Sequence, residues 1–402
     1  MSENINLLSH GLLRPKKSPR AKSSVTYIKT DNGPPVSLLK VAGTYYDKGF
    51  SYGFHFSEAI KHNLQATFRF ASRIGIGRVH QKVDKEAFQE KIFSLFKHVP
   101  FHYLEQMQGI IDGCKEKGNP LDNNLDLLIV VSFFEMNELM CCSMFGITPP
   151  ASTDHTFHLA NSEYPYRLGH DEYPVLIIHE PHNEHGEKVD HTFLNLGYAS
   201  LTGSITGINE KGLAFSQIRA TFLEGGFNPE GIPYPYLIEE GLRICNDVSE
   251  ANELIKDKPK TSPKFYVVSD PNRSKKSVQL WFTAPEYFLC YKENEMPATS
   301  MIKEKLFAFY EPVPNAVYWL DMLAPKIAAG SEKAYYLIKN AWGHINHQKA
   351  LEITKELGSR YLVLSALYDL DKLTIDFSFS YKRVPAHLRT YIHLELKELF
   401  NI

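Results

Sequence analysis

Two adjacent thiols, Cys141 and Cys142, followed by Ser143, stand where the chain passes from helix-like to strand-like patterning. A thiolate is a strong nucleophile. A cysteine at the first residue of a strand becomes a self-contained catalytic unit if the peptide bond before it is cut. The freed α-amine, with an ordinary pKa of about 7.7–8, can take the proton of its own side chain, so no histidine–aspartate pair is required. The plainer reading of the pair is two small hydrophobes in a core. Cys114, Cys245 and Cys290 are widely spaced, the total of five is odd and there is no CxxC. That pattern points to free thiols, not to a disulfide framework or a zinc ribbon.

A second constellation is rich in imidazole. His179, His182 and His185 recur every third residue, His191 follows, and His155 and His158 share the interval. Converging imidazoles could hold zinc. However, Glu180–Asp190 reads as a polar hairpin loop with Asn183, Gly186 and Lys188, so the expectation is a solvated loop, with no metal and no cofactor. Glu105, Asp112 and Glu135 fall on helical stretches and read as capping or solvating acids. There is no GxGxxG, Walker or G-x-S-x-G motif, which leaves nucleotide binding and serine hydrolysis without support.

The elements that must position these groups follow from periodicity. Val36–Val41 reads as a strand. Ile60, Leu64, Phe68 and Ala71 mark a helix, as do Phe88, Ile92, Leu95 and Phe96 after Asp84, and Leu104, Met107, Ile111 and Cys114 before Gly118 and Pro120. Gly49/Gly53 and Gly109/Gly113, each four apart, would let helices approach closely. Leu125–Leu139 is apolar nearly all round and predicts a buried helix. Beyond Cys141 the period becomes two. Strands are expected at Thr156–Asn161, Val175–His179, His191–Leu196, Leu213–Ile218, Phe265–Ser269, Val278–Phe282, Tyr361–Leu367 and Leu373–Phe379. The last two bracket a turn at Asp369–Lys372, and helices interrupt at Pro235–Lys256 and Ala334–Leu357. This order predicts an α+β architecture.

At 402 residues and 43% hydrophobic, the chain can bury a large core without staples. Its net charge of −2 argues against a chain built to bind nucleic acid or an anionic membrane. No apolar run reaches the roughly 18 residues of a membrane span. Met1–Ser24 carries Arg14, Lys16, Lys17, Arg20 and Lys22 but no signal-like apolar stretch. It reads as a loose basic tail, with cytoplasmic residence as the default.

Five motifs in order give the chain a family resemblance. Gly43, Tyr46, Gly49 and Gly53 match an opening G-x-x-Y-x-x-G-x-x-x-G pattern. Tyr103–Gly113 matches a helix with Glu105 and Gly109, Cys142-Ser143 a Cys-Thr/Ser pair, and Asn161-Ser162-Glu163 an N-x-D segment. The sharpest match is the G-x-N-E-x-G-L turn at Gly207–Leu213. The sequence resembles N-terminal nucleophile hydrolases of the C45 type, the acyl-CoA:6-aminopenicillanate acyltransferase group, and more distantly choloylglycine hydrolases and acid ceramidase. The resemblance spans about Val36–Pro385. It implies a four-layered αββα sandwich whose core is 142–402, with a helix-rich, pro-segment-like part (25–141) packed with it as one unit. It implies that Cys142 forms a thioester with a linear N-acyl amide, with Asn161, Glu163, Asn209 and Arg219 near it. Ala160 stands where the choloylglycine branch has Arg, and Ile218 or Arg219 where an oxyanion-hole Asn is usual. Phe145, Tyr164, Tyr166, Phe215 and Phe222 are the expected acyl-pocket lining. The expected partner is a small acyl amide, with hydrolysis or acyl transfer and a homo-oligomer both open. The alternative is a degenerate member that binds an acyl ligand or a protein without turnover.

Overall fold

Runs of branched and aromatic residues, most of them beyond Cys142, pair into two large sheets. The computed structural model describes residues 16–31, 33–74, 98–121, 127, 142–219, 227–271, 277–295, 299–302, 305–308, 313–320 and 327–401. One sheet has nine strands, in the spatial order β1 (Lys22–Ile28), β2 (Val36–Gly43), β5 (Pro174–Pro181), β6 (Phe193–Tyr198), β7 (Thr206–Asn209), β8 (Ala214–Arg219), β9 (Lys264–Asp270), β10 (Ser277–Ala284) and β11 (Tyr287–Lys292). Its β2–β5 pair is parallel and its other pairs are antiparallel. The other sheet has six strands, all antiparallel, in the order β14 (Ala316–Leu320), β3 (Cys142–Ile147), β4 (Phe157–Glu163), β15 (Leu362–Asp369), β16 (Thr374–Phe379) and β17 (Ile392–Glu395). A short hairpin joins β12 (Thr299–Ile302) to β13 (Lys305–Ala308).

Strands β3, β4, β6, β9, β15 and β16 are buried at every residue, as expected of strands covered on both faces. One cover is the other sheet. A Cβ on Gly146 of β3 would stand 2.7 Å from Ser269 Oγ of β9, and His158 Nδ1 of β4 lies 2.8 Å from that same oxygen. Helices supply the other cover. On the nine-stranded sheet, α1 (Tyr45–Ile74) packs on β2, α3 (Tyr234–Ile244) on β7 and β8, and α4 (Val248–Lys256) on β9 and β10. On the six-stranded sheet, α5 (Ile327–Asn340) lies against β14 and α6 (His347–Glu356) against β4 and β15. A closing helix, α7 (Leu396–Phe400), follows β17.

The glycine pairs do join two helices. A Cβ on Gly49 of α1 would come within 2.0 Å of Gln106 O of α2 (Phe101–Glu116), and one on Gly109 within 2.3 Å of Tyr46 O. Across the fold, Lys48 of α1 reaches Glu239 of α3 at 2.5 Å with both side chains buried, and Asn195 Nδ2 donates to the same carboxylate at 2.9 Å.

Some elements differ from the sequence reading. The helical stretch expected over Pro235–Lys256 resolves into two helices, because Cys245 turns extended and Asp247 caps a fresh start by accepting from Glu250 N. Ala334–Leu357 is likewise divided, at Gly343 (φ +79°) and the Asn346 cap. The basic tail is ordered earlier than Ser24. Lys22–Ser24 pair with Lys40–Ala42, and Ser18 N donates to Asp47 Oδ2 at 2.8 Å. The helix after Asp84 lies outside the described residues, as does Leu125–Leu139 apart from Leu127, which is helical and buried. No described helix is long and apolar enough to cross a membrane.

Candidate active site around Cys142

Cys142 opens β3, an inner strand flanked by β14 and β4, and is 3% exposed. Alternate residues of a strand share a face. Gly146 meets the nine-stranded sheet, so Met144 and Cys142 point there too. Directly opposite Cys142 in the ladder is Ser162. Tyr164, just beyond β4, and Tyr198, at the end of β6, complete the surroundings. Burial first, and the Cys142 thiol beside it, hold the Tyr164 phenol well above its ordinary pKa. The Tyr198 phenol is raised by burial, then by Tyr164 and by Cys142. His170 stacks on Tyr198 with ring centroids 4.4 Å apart and meets Tyr164 edge-on at 5.5 Å. Burial drives its pKa down to about 3, so its imidazole is neutral at physiological pH. Helix α1 fixes the Tyr198 segment, with Tyr52 OH donating to Tyr198 O at 3.0 Å and Asn63 Nδ2 to Ala199 O at 2.8 Å.

The other sequence-derived candidates do not converge on this thiol's face. Asn161 pairs with Ser143 on the opposite face of the sheet. Its Nδ2 donates to Ser143 Oγ at 3.0 Å and to Thr354 O of α6 at 3.2 Å, and its Oδ1 accepts from Ser365 Oγ. Glu163 ends β4 beside the amino end of β3, because Ser162 is the partner of Cys142. Asn209 is committed to its own turn. It accepts from Lys211 N and Leu213 N, both at 3.0 Å, and donates to Leu242 O and Cys245 O at 2.9 and 2.8 Å. Arg219 shares a face of β8 with Phe215 and Gln217 by alternation. Phe215 packs beneath Gly241 of α3, away from Cys142. Phe145 shares the α6-facing side of β3 with Ser143, whose Oγ donates to Leu357 O at 3.4 Å. Tyr166 reaches outward to Arg360 O at 2.9 Å. Phe222 lies outside the described residues. Of the expected pocket residues that are described, Tyr164 is the one whose phenol the Cys142 thiol perturbs. Ser162, His170 and Tyr198 were missed. No local motif marks them, since strand register sets Ser162 opposite Cys142 and chain returns bring His170 and Tyr198 against Tyr164.

The histidine series does not converge either. His179 is fully buried within β5, and burial holds its pKa far below the ordinary value. His182 Nε2 meets Glu180 at 2.7 Å and His191 Nδ1 meets Glu210 at 3.4 Å, while His185 is exposed. His179 lies in a strand as expected, and the loop between β5 and β6 runs over 182–192, two residues later than the expected 180–190.

A cavity of about 440 Å³ opens near the aromatic group. Its lining includes Lys29, Asp31, Asp171, Phe379, Lys382 and Arg389. Phe379 meets Tyr198 edge-on with centroids 6.5 Å apart, so one aromatic ring stands between the cavity wall and the thiol's surroundings.

No family model and no curated protein sequence matches the chain. It is similar in structure to an N-acylethanolamine-hydrolyzing acid amidase ortholog from Caenorhabditis elegans, at 12% identity and TM-score 0.41 over 57% of this chain and 93% of that one. A conjugated bile acid hydrolase from Clostridium perfringens gives 11% identity and TM-score 0.39 over 64% and 93%. Penicillin V acylase from Agrobacterium tumefaciens gives 8% and 0.43 over 64% and 87%.

Proposed function

We propose that the protein cleaves linear N-acyl amides with Cys142 as nucleophile. In this reading its pairwise packings form a four-layered αββα sandwich that divides at Cys142. The observation that carries the reading is the buried thiol at the head of an inner strand, faced by a serine hydroxyl and walled by aromatic rings. Cutting the Cys141–Cys142 bond frees an α-amine at the amino end of β3, and the Glu163 carboxylate at the adjoining end of β4 is suited to hold it. The amine takes the thiol proton and the thiolate adds to the acyl carbonyl carbon. Collapse breaks the C–N bond, and the proton leaves with the amine. Water then attacks the thioester, releasing the acid and restoring the thiol. Ser162 and the Tyr164 and Tyr198 phenols are the hydroxyls available to the developing oxyanion, and donors at such positions are typically worth about 10²–10³ in rate. Asn161 is a positioning residue in this scheme, acting through Ser143 and α6.

A second reading, a binding module without turnover, is favoured by one specific observation. The Asn161 and Asn209 amides are engaged elsewhere, and Arg219 shares the Phe215 face, which packs on α3. Intact-mass analysis with an N-acyl amide assay separates the two. The enzyme reading expects fragments 1–141 and 142–402 in wild type, an uncut chain in Cys142→Ala, and turnover only in wild type. An uncut wild-type chain without turnover, which still binds N-acyl amines, would establish the module instead. In either case the aromatic wall predicts affinity rising about three- to fourfold per added methylene, from about 0.8 kcal/mol per buried CH₂. Affinity that is flat from acetyl to decanoyl would overturn the apolar pocket.

A further inference from the structure

We propose a zinc-class divalent cation site formed by His347, Asp376 and His393. These residues come from the first turn of α6, from β16 and from β17. Their candidate ligand atoms all lie within 4.8 Å of one another. His347 Nε2 is 2.9 Å from Asp376 Oδ2, and His393 Nδ1 is 3.3 Å from Asp376 Oδ1. Ligands about 2.0–2.1 Å from a tetrahedral zinc stand roughly 3.3 Å apart, so the two histidine–aspartate sides already have that spacing, and turning the half-exposed imidazoles would close the third side, which lies within 4.8 Å.

The outer nitrogens strengthen the case. Metal-bound imidazoles ordinarily donate their other N–H to a carboxylate, which fixes tautomer and ring orientation. Here His393 Nε2 lies 3.2 Å from Glu395 Oε1, and His347 Nδ1 points to Asp369 Oδ2 at 4.0 Å. Asp369 is itself buried and held by His155 Nδ1 at 2.8 Å. His347 and His393 are 33% and 47% exposed, which gives the ion a path from solvent and leaves the fourth position for water. In ladder register Asp376 faces Leu367, Leu367 faces Leu159 and Cys142 faces Ser162, so the site lies three residues along and three strands across from the thiol, roughly 17 Å away at about 3.3 Å per residue and about 4.8 Å per strand. It is therefore separate from the Cys142 site. It would clip the amino end of α6, whose Thr354 carbonyl together with the Leu357 carbonyl receives the side chains of Asn161 and Ser143, to the closing hairpin.

The test is titration of the chelator-treated full chain with Zn²⁺ against a chromophoric competitor, with Co²⁺ as the absorbing probe. One equivalent should bind and give a visible tetrahedral Co²⁺ spectrum. His347→Ala or His393→Ala should weaken binding at least tenfold, and Glu395→Gln about 10–100-fold. Thermal midpoint should rise with Zn²⁺ in wild type and not in the double histidine variant. Glu395 is exposed, so its variant keeps the test informative even if a histidine variant folds poorly. The site is ruled out if wild type takes no stoichiometric ion, or if the double variant binds Zn²⁺ as wild type does.

Discussion

Asn209 lies fully buried at the end of β7, with both amide hydrogens donated and its oxygen accepting twice. Removing that side chain strands two carbonyls and two amides away from water. At about 1–3 kcal/mol for leaving buried groups unsatisfied, Asn209→Ala should lower stability by about 2–4 kcal/mol in urea denaturation. Whatever remains folded should keep its thiol reactivity, whereas a residue that touches substrate would lose turnover at unchanged stability. The opposite kind of residue effect stands at the cavity rim. Tyr381 and Val384 exchange both backbone hydrogen bonds around Lys382 and Arg383, which hold φ of 49° and 65°. Two-residue turns of this kind favour Asn-Gly, since other residues at left-handed angles carry about 1–2 kcal/mol each. The double change Lys382→Asn with Arg383→Gly should therefore raise the urea midpoint, and a fall would show that the rim side chains outweigh the backbone strain.

Among the elements, the α1–α2 pair holds the helical first part together, and the Lys48–Glu239 tie joins it to α3 on the nine-stranded sheet. Both glycine pairs were legible in the sequence because their four-residue spacing places them on one helix face. Gly49→Ala would drive a Cβ to 2.0 Å from Gln106 O, a backbone atom that cannot swing aside, so separation of the helices and a loss of about 3 kcal/mol or more are expected by calorimetry. The ion pair could not be read, because its partners are 191 residues apart. Lys48 also faces the rings of Tyr45 and Phe193 at 5.4 and 5.2 Å, and burial lowers its pKa despite Glu239. Glu239→Leu leaves that ammonium unpaired and should cost about 3–5 kcal/mol, while adding Lys48→Met should recover most of the loss. A double variant no more stable than the single would show that the loss comes from the stranded Asn195 amide, which also donates to Glu239, and not from the unpaired ammonium.

At the scale of the whole molecule, strand positions were legible because branched and aromatic runs mark them. Side-chain faces were not, because register is set by residues far apart in sequence. A single step in β4 decides that Ser162, and not Asn161, faces the Cys142 thiol, and the same logic hid His347, Asp376 and His393 on three separate elements. The layered interior has a further consequence for pH. His158 lies between the sheets and His170 within the aromatic group, both essentially sealed, and burial lowers each pKa to about 3. Unfolding returns them to an ordinary value of about 6.5. Between those values the unfolded chain binds protons that the folded chain does not, so stability is fully present above about pH 6.5 and falls as pH drops toward 3. Each histidine contributes a slope of about 1.4 kcal/mol per pH unit across that window. Urea denaturation from pH 7 to pH 4 should show this decline, to which the equally buried His179 with its lowered pKa adds, and His170→Phe, which keeps the stacked ring without the titrating nitrogen, should remove about a third of it. A stability that is level over the window, or an unchanged slope in His170→Phe, would mean that these imidazoles take up protons in the folded protein and that the space around Tyr198 is open to water.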